Sequence, residues 1–495
     1  MAITLSLALV VCTFGYADAY AAGYSAYAYS LNLAPEDSQE FISRIRAQSS
    51  SYTTSNSAVR ESGAVTQSSF TANTHNIKYW ASEGNEYGEI WSNDPSVNVS
   101  FNLMDLNLKQ KWGGNSSSSL EFLFLAACNL VNGAGANPRK ELANAMIGPG
   151  AMRAICGYHE NAPSAADLQV VDKFMDYAES GESVKSSWMQ ANEYVYNYGT
   201  GAKSYCKNYI VLTHNNNSQY SRFPGFPGST YSRPTTSTSI VRFSRAYPNG
   251  NSQELTGYVI GDTLTNEQVT EFSQNLSNVL PAISLNAVAL QARTSDHLVD
   301  NEDGVIVLSN SEIGHTPISM SEKEAAETAF AHIANEYIGL QADAFENSVM
   351  NVAPIVMAEV SLEGDASQEV ESTVAYIVNI QNACNGIPID GSVFSIAVDE
   401  TGIPFSNGKW HSIQTEMGMT QMDTALISFS EIIDTLSEQA TCEGVQMNTT
   451  EDIAGRTVES YYIHYTPVGN SGVYKPICSF TMMDGRQFDV DLAAE

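Results

Sequence analysis

The sequence predicts an α/β domain with a parallel sheet flanked by helices, followed by two or three small α+β modules. Residues 70–215 alternate short apolar runs with helical patterns, which is typical of a parallel sheet. From residue 240 onward a helix is followed by several strands, and this pattern recurs. The charge also divides the chain, since residues 1–240 carry a net charge of −4 and residues 241–495 carry −28.

Composition limits the kinds of partner. The 495 residues include 23 basic and 55 acidic side chains, for a net charge of −32. Only 16% of residues are charged, against about 25% in an average domain, so the acidity reflects a shortage of Lys and Arg. Nucleic acids and anionic membrane surfaces both require clustered cations, which disfavours them here. We therefore expect a protein or peptide partner, with no oligomeric state predicted.

The first 69 residues predict a leader and a linker. Residues 1–21 combine a short apolar run with small residues at positions 17, 19 and 21, which is typical of a secretory leader. No later run reaches the roughly 20 apolar residues of a membrane-spanning helix. Residues 22–69 are rich in Ser and Thr and predict a linker. We expect an exported protein, extracellular or in the cell envelope, without a membrane span.

The cysteines leave two interpretations open. Six cysteines remain after removal of the leader, and an exported chain can form disulfides. Cys442 and Cys478 could form a bridge, or both could be buried thiols. The absence of a Cys-x-x-Cys pair or a His/Cys cluster in the sequence argues against structural zinc.

The predicted α/β domain spans residues 70–235. Its strands are predicted from short apolar runs and its helices from apolar residues at helical spacing. A loop rich in Pro and Gly, residues 223–239, closes it. The predicted strands are 77–81, 120–127, 152–157 and 208–213, and the predicted helices are 137–146, 167–177 and 182–196.

The acidic half is predicted to contain modules at 240–317, 318–415 and 416–495. Ser321 followed three residues later by Glu324 forms a capping-box pattern, which predicts a helix that begins there and ends near residue 337. Two more helices and six strands are predicted by their periodicity. The helices are 265–276 and 424–439, and the strands are 356–362, 370–381, 393–398, 460–466, 474–482 and 487–492.

A candidate site is predicted where the parallel strands end, because chemistry gathers at that edge of an open α/β sheet. Glu83 and Gly84 follow the first predicted strand, Cys128 and Asn129 the second, and His159 the third. The segments 78–85 and 124–128 resemble the strand–Ser-His-Gly and strand–Ala-Cys signatures of caspases, gingipains and clostripain. Residues 70–230 resemble a bacterial domain family of unknown function with the same two signatures. The resemblance implies a nucleophile at Cys128 and the signature glycine at Gly84.

The sequence departs from that pattern at Glu83, which replaces the general-base histidine. A carboxylate near a thiol disfavours the thiolate and so raises the thiol pKa. We therefore expect a catalytically degenerate domain. In the alternative, an active cysteine peptidase or amidase, His159 is the base. That site would be completed by Asn129, by the backbone N–H groups of Gly84 and Cys128, and by Glu83, which would orient the imidazole.

Two further patterns concern binding. Residues 319–413 resemble PepSY-type modules through the Ala-rich capped helix, the run 376–380 and the Gly-Ile-Pro hairpin at 385–391, which implies an inhibitory or binding role without catalytic residues. The acidic cluster at Asp296 and 300–303 lacks the spacing of a calcium-binding EF-hand loop. We interpret it as a solvated acidic loop and predict no metal and no cofactor.

Overall fold

The structure is a computed structural model that describes most of the chain outside the N-terminal segment. The predicted leader and the acidic residues Asp296 and 301–303 lie outside the described residues. The described residues are 24–31, 35–48, 67–92, 99–113, 120–131, 138–147, 152–201, 203–214, 221–229, 240–245, 258–259, 276, 279–280, 282–293, 298–300, 304–309, 312–340, 344–360, 370–413, 426–442, 458–482 and 487–493.

The chain divides into two compact units. The first contains Met1–Ala246, Glu312–Ile318 and Ile355–Val374. The second contains Tyr247–Ser311, Ser319–Pro354 and Ala375–Glu495. The change in net charge near residue 240 therefore does not coincide with the division of the fold, since the first unit takes two segments from the acidic half.

The strands are numbered along the chain. They are β1 (Ala26–Ser30), β2 (Ile77–Ala81), β3 (Glu83–Gly84), β4 (Glu89–Trp91), β5 (Ser100–Asn102), β6 (Phe122–Ala126), β7 (Ala154–Tyr158), β8 (Tyr209–His214), β9 (Ile240–Arg245), β10 (Tyr258–Val259), β11 (Ile283–Ala287), β12 (Gln291–Ala292), β13 (Leu298–Asp300), β14 (Val305–Ser309), β15 (Tyr337–Ile338), β16 (Val349–Val360), β17 (Val370–Cys384), β18 (Ile387–Asp399), β19 (Phe405–Lys409), β20 (His411–Ile413), β21 (Val458–Pro467), β22 (Val473–Met482) and β23 (Gln487–Asp491).

The helices are numbered in the same way. Five predicted helices are present with shifts of a few residues at their ends: those at 137–146, 167–177, 182–196, 321–337 and 424–439. The helix predicted at 265–276 lies almost entirely outside the described residues. The helices are α1 (Glu36–Ala47), α2 (Gln67–Thr71), α3 (Pro138–Met146), α4 (Asp167–Glu179), α5 (Val184–Tyr198), α6 (Glu322–Glu336) and α7 (Phe429–Cys442).

The first unit contains a mixed sheet flanked by helices. Strands β1, β2, β6 and β7 lie side by side and run parallel. β8 is antiparallel to β7, β9 is antiparallel to β8, and residues 355–360 of β16 are antiparallel to β9. The expectation of a purely parallel sheet is wrong at β8. Two consecutive helices, α4 and α5, separate β7 from β8, so the chain returns to the edge where β7 ended.

Helices cover both faces of this sheet. Leu142 and Met146 of α3 pack in one cluster with Leu123 and Ile155. On the other face, the ring centroid of Phe124 lies 5.0 Å from Phe174 of α4 and 5.7 Å from Trp188 of α5. Because adjacent side chains of a strand point to opposite faces, Leu123 and Phe124 assign α3 to one face and α4 and α5 to the other.

Residues 22–69 differ from the predicted linker, because β1 and α1 lie within them. β1 pairs with β2 along its whole length. In α1, Phe41 is buried with its ring 4.9 Å from Tyr79, and Arg44 binds Asp172 and Asp176 of α4 at 2.7 Å each. The Tyr/Ala/Ser composition of the segment conceals a strand, because small side chains suit a crowded sheet but give little apolar periodicity.

The second unit contains two helix-on-sheet layers. In the first, β13, β14, β19, β18 and the end of β17 form an antiparallel sheet. Ala325, Ala329 and Ile333 of α6 pack on this sheet. The capping box is confirmed: Glu324 N–H donates to Ser321 Oγ at 3.3 Å, and Ser321 N–H donates to a Glu324 carboxylate oxygen at 2.8 Å.

The second layer is C-terminal. Strands β10, β21, β22 and β23 form an antiparallel sheet, and Ile432 and Leu436 of α7 pack on it. β18 meets β21 in parallel at Ile389 and Tyr465. Cys478 is a free, buried thiol, so the bridge to Cys442, one of the two interpretations, is absent from this structure.

Candidate functional site

The predicted site lies at one edge of the first unit's sheet. The parallel register aligns Ser30 of β1, Ala81 of β2 and Ala126 of β6, and β7 runs beside β6 in the same direction. The residues that follow these strands therefore emerge at the same edge. The site residues predicted at the ends of β2, β6 and β7 all lie along this edge.

Cys128 lies in the turn that follows β6 and is partly buried. Its Sγ accepts a hydrogen bond from the Ala162 N–H at 3.3 Å. The next residue, Asn129, adopts a left-handed conformation with φ of 61°, which asparagine tolerates better than most residues. Asn129 N–H donates to Glu160 O at 2.7 Å. These two bonds hold the turn after β6 against the loop after β7.

The thiol of Cys128 is held in its neutral form. Its pKa is raised to about 11, mainly by burial and to a smaller extent by Glu83 and Asp167, while the Ala162 N–H acts in the opposite direction. With this pKa, roughly 10⁻⁴ of the group is thiolate at pH 7. The side chain is therefore a poor nucleophile at neutral pH.

Gly84 is fixed by a close approach to the cysteine turn. A Cβ at this position would lie 2.7 Å from the Cys128 carbonyl oxygen and 2.8 Å from Leu130 Cγ. Real Cβ atoms do not come this close to other atoms, so only glycine lets β3 pass the turn. The oxyanion role of the Gly84 and Cys128 N–H groups stays a prediction.

His159 follows β7 and has different charged neighbours from Cys128. Its pKa is lowered to about 4, mainly by burial and also by the cations Arg242 and Arg139. Arg242 belongs to β9 and Arg139 to α3, the helix on the face opposite α4. The charges that act on Cys128 come instead from Glu83 and from Asp167 of α4.

The two groups thus sit in separate electrostatic surroundings at the same sheet edge. The conditions that keep the His159 imidazole neutral also disfavour a thiolate–imidazolium pair. The pairing of Cys128 with His159 as its base stays a prediction, and neither pKa supports it.

Two buried carboxyl groups were not predicted from the sequence, and one of them, Asp167, acts on Cys128. Asp37, in the first turn of α1, is 5% exposed, and Asp167, the first residue of α4, is 9% exposed. Tyr79 Oη donates to Asp37 Oδ2 at 2.8 Å, whereas Asp167 Oδ1 has no hydrogen-bond partner among the residues that the structure describes. Burial raises the pKa of both, and the charge of Asp37 raises that of Asp167 further.

These acids were overlooked for a specific reason. Acidic residues are common in the first turn of a helix, where they are usually solvated and interact with the helix dipole. Their burial results from the packing of α1 and α4 on the same face of the sheet. Burial of Asp167 keeps its carboxyl group protonated over a wider pH range than in water.

Metal and membrane features are absent from the ranges that the structure describes. No group of three or more His, Cys, Asp or Glu side chains there is arranged to hold a metal ion. Within the same ranges, no helix is both long enough and apolar enough to cross a bilayer.

Comparison with known proteins finds that the first region is similar to a domain of unknown function. Residues 20–239 match the family model described as "Domain of unknown function (DUF6345)". The match begins about fifty residues earlier than the predicted domain and includes β1 and α1. No curated protein sequence matches the chain. A solved structure titled "Structure of Protease" aligns with 80% of this chain and with 68% of its own chain, at 10% identity and a TM-score of 0.29. A TM-score this low does not establish a common fold.

Proposed function

We propose that this is an exported bacterial protein whose first domain is a caspase/gingipain-like fold without peptidase activity, and whose acidic PepSY-like modules bind a protein or peptide partner. The observation that carries the proposal is the state of Cys128. Its thiol lies at the predicted nucleophile position with a pKa of about 11. A cysteine nucleophile needs the opposite shift.

The general base supports the same conclusion. Glu83 occupies the position where the resembled family has histidine, and its charge raises the pKa of Cys128. His159, the remaining candidate, has a pKa near 4. A base with this pKa is a weak proton acceptor at pH 7, and its protonated form is too scarce to protonate a leaving amine. Acylation and leaving-group protonation both lack a suitable group.

Partner binding by the acidic half rests on its charge. Residues 241–495 carry 36 acidic and 8 basic side chains. A surface of this sign repels polyanions and attracts cationic partners, with an effect that salt weakens. The partner that this charge favours is a basic protein or peptide.

Thiol labelling of the full chain tests the proposal. An electrophilic amide such as iodoacetamide should label Cys128 slowly at pH 7, and the rate should rise roughly tenfold per pH unit up to about pH 10, because only the thiolate reacts. Glu83→Gln should speed the labelling, since it removes a charge that raises the thiol pKa. Glu89→Gln, an exposed substitution on β4, is the matched control. Cys128→Ala identifies the signal.

The active peptidase predicts different results. Its thiolate–imidazolium pair would give rapid labelling already at pH 6–7, lost in Cys128→Ala and reduced in His159→Ala. It would also cleave peptides in a Cys128-dependent way. Either result would overturn the proposed loss of activity.

A further inference from the structure

The second unit contains a chain of four polar side chains that the proposed function does not use. His464 of β21 lies 2.7 Å through Nδ1 from Asp390 Oδ2 of β18. Its Nε2 lies 2.8 Å from Ser479 Oγ of β22. Ser479 Oγ in turn donates to Asp489 Oδ1 of β23 at 2.5 Å. We call these residues the His464 network.

Strand register explains why residues so far apart in sequence meet. Ser479 lies directly opposite Asp489 in the β22–β23 pair and opposite Tyr462 in the β21–β22 pair. His464 is two residues after Tyr462 and so shares its face of the sheet. β18 brings Asp390 alongside, next to the Ile389–Tyr465 pairing. α7 packs on the opposite face, against Ile463 and Cys478.

The order Asp–His–Ser resembles the triad of a serine hydrolase, and two observations exclude that role for Ser479. In a triad the serine hydroxyl gives its proton to histidine, but here Ser479 donates to Asp489 at 2.5 Å. Ser479 is also only 3% exposed and His464 only 5%, so a substrate carbonyl cannot reach the hydroxyl.

Counting protons gives the state of the network. Its three contacts need one proton each. Ionised Asp390 and Asp489 supply none, the Ser479 hydroxyl supplies one, and a neutral imidazole supplies one more. Because the serine proton is used toward Asp489, both ring nitrogens of His464 must donate. The network therefore needs a third proton besides those of the serine hydroxyl and a neutral imidazole. We propose that this proton is bound to His464, which is an imidazolium held between two carboxylates. The attachment of the C-terminal sheet to β18 then depends on pH.

The groups around the ring agree with a bound cation. Asp390 from β18 and Asp489 from β23 bring two negative charges, and Tyr462 from β21 stacks on the ring with centroids 4.5 Å apart. On β22, Lys475 is paired with Asp491 at 3.1 Å. Tyr474, also of β22, has its pKa raised by burial and then by Asp390. The network therefore has a net charge of −1 when the proton is bound and −2 when it is lost, and one hydrogen bond is then broken.

The protonation state of His464 can be measured directly in the full chain. With ¹⁵N-labelled histidine, both ring nitrogens of His464 should show the chemical shifts of protonated imidazolium at pH 7. His464→Gln assigns the signal by its loss. If the wild-type ring has one unprotonated nitrogen at pH 7, the proposal is wrong, whatever the variants do.

Asp489→Asn tests the reason for the third proton. An amide can donate to Ser479 Oγ, which frees the serine proton for His464 Nε2, so the ring should become neutral at pH 7 with all three contacts kept. Asp491→Asn removes a carboxylate from the same face of the same strand and should leave the imidazolium unchanged. Equal spectra for the two variants would contradict the proposal.

Stability provides a second readout. While the native state holds a proton that the unfolded state lacks, the folding equilibrium constant falls by up to roughly tenfold per pH unit as the pH rises. The free energy of unfolding of the second unit, measured with urea, should therefore decrease between pH 6.5 and 8 in wild type and in Asp491→Asn. In Asp489→Asn this decrease should be smaller, and an unchanged slope would overturn the proposed coupling.

Discussion

The two units use charged side chains in opposite ways. The first 240 residues are nearly neutral, yet the first unit buries several ionisable groups, among them Lys78 at 0% exposure and Glu193 at 0%. The acidic half carries the net charge of −28, and in the parts of the second unit that the structure describes, Asp399 is the one buried carboxylate residue. Net charge is therefore a poor guide to where charge matters, because solvated acids contribute little to a fold.

Lys78 illustrates the first unit's pattern. Its Nζ donates to the carbonyl oxygens of Phe70 and Ala72 at 2.8 and 2.5 Å, at the end of α2. A third bond goes to Ser69 O at 3.1 Å. Burial lowers the pKa of Lys78 to about 7, but three acceptors require three donated protons, which only the ammonium form supplies. We therefore assign the charged form, held by carbonyl groups of the last turn of the helix.

The largest expected effect is the loss of a buried ion pair in the first unit. Glu193 is 3.1 Å from Arg245 and accepts a hydrogen bond from Tyr209 at 3.1 Å. Glu193→Gln removes the carboxylate of this buried pair and should lower the free energy of unfolding by about 3 kcal/mol. In the second unit, Glu327→Gln breaks an exposed pair with Lys323 and should cost less than about 0.5 kcal/mol. Urea unfolding of both variants measures the difference, and similar losses would remove the contrast between the units.

A helix cap of the second unit should have an intermediate effect. Ser321→Ala removes the side-chain oxygen that accepts the Glu324 N–H at 3.3 Å, which should cost about 1 kcal/mol. Ser428→Ala removes a similar contact to Glu431 before α7, at 3.4 Å. Because both caps are exposed, we expect similar losses in thermal unfolding. A loss near 3 kcal/mol at either cap would show that local structure contributes more to this unit than burial suggests.

The smallest effect, and the one most specific to the first unit, concerns Asp167. Its pKa is raised by burial, so above about pH 4 the native state keeps a proton that the unfolded state loses, and stability falls as the pH rises. Asp167→Asn has no proton to lose. It should match wild type near pH 3.5 and become progressively more stable than wild type as the pH rises to 7.

Glu322→Gln is the matched control for Asp167→Asn. Glu322 is the first residue of α6 but is exposed, so this substitution should bring no gain that grows with pH. Unfolding by urea at pH 3.5, 5 and 7 compares the two. A gain for Asp167→Asn that is already complete at pH 3.5 would contradict an ionisation effect.

Much of the secondary structure could be read from local patterns. β2 is found at its predicted residues, and the helix capped by Ser321 begins where the capping box places it. The positions of Glu83, Gly84, Cys128 and His159 along one sheet edge also follow from strands that could be recognised as short apolar runs. These features depend on residues close together in sequence, which is why periodicity and caps predict them.

Other features were decided by contacts between distant segments. Three of these features leave no periodic signal in the sequence. They are the direction of β8, the inclusion of residues 355–360 in the first unit's sheet, and the burial of Asp37 and Asp167. The His464 network joins residues from 390 to 489 through the register of four strands.

The sequence by itself thus determined many of the helices and strands, the acidity of the second half and the glutamate at position 83. The tertiary structure alone decided which carboxyl groups are solvated and which are buried. That distinction sets the pKa of Cys128 and the proton count around His464. The physical reason is that the cost of a charge depends on its solvent and its neighbours, and only folding supplies both.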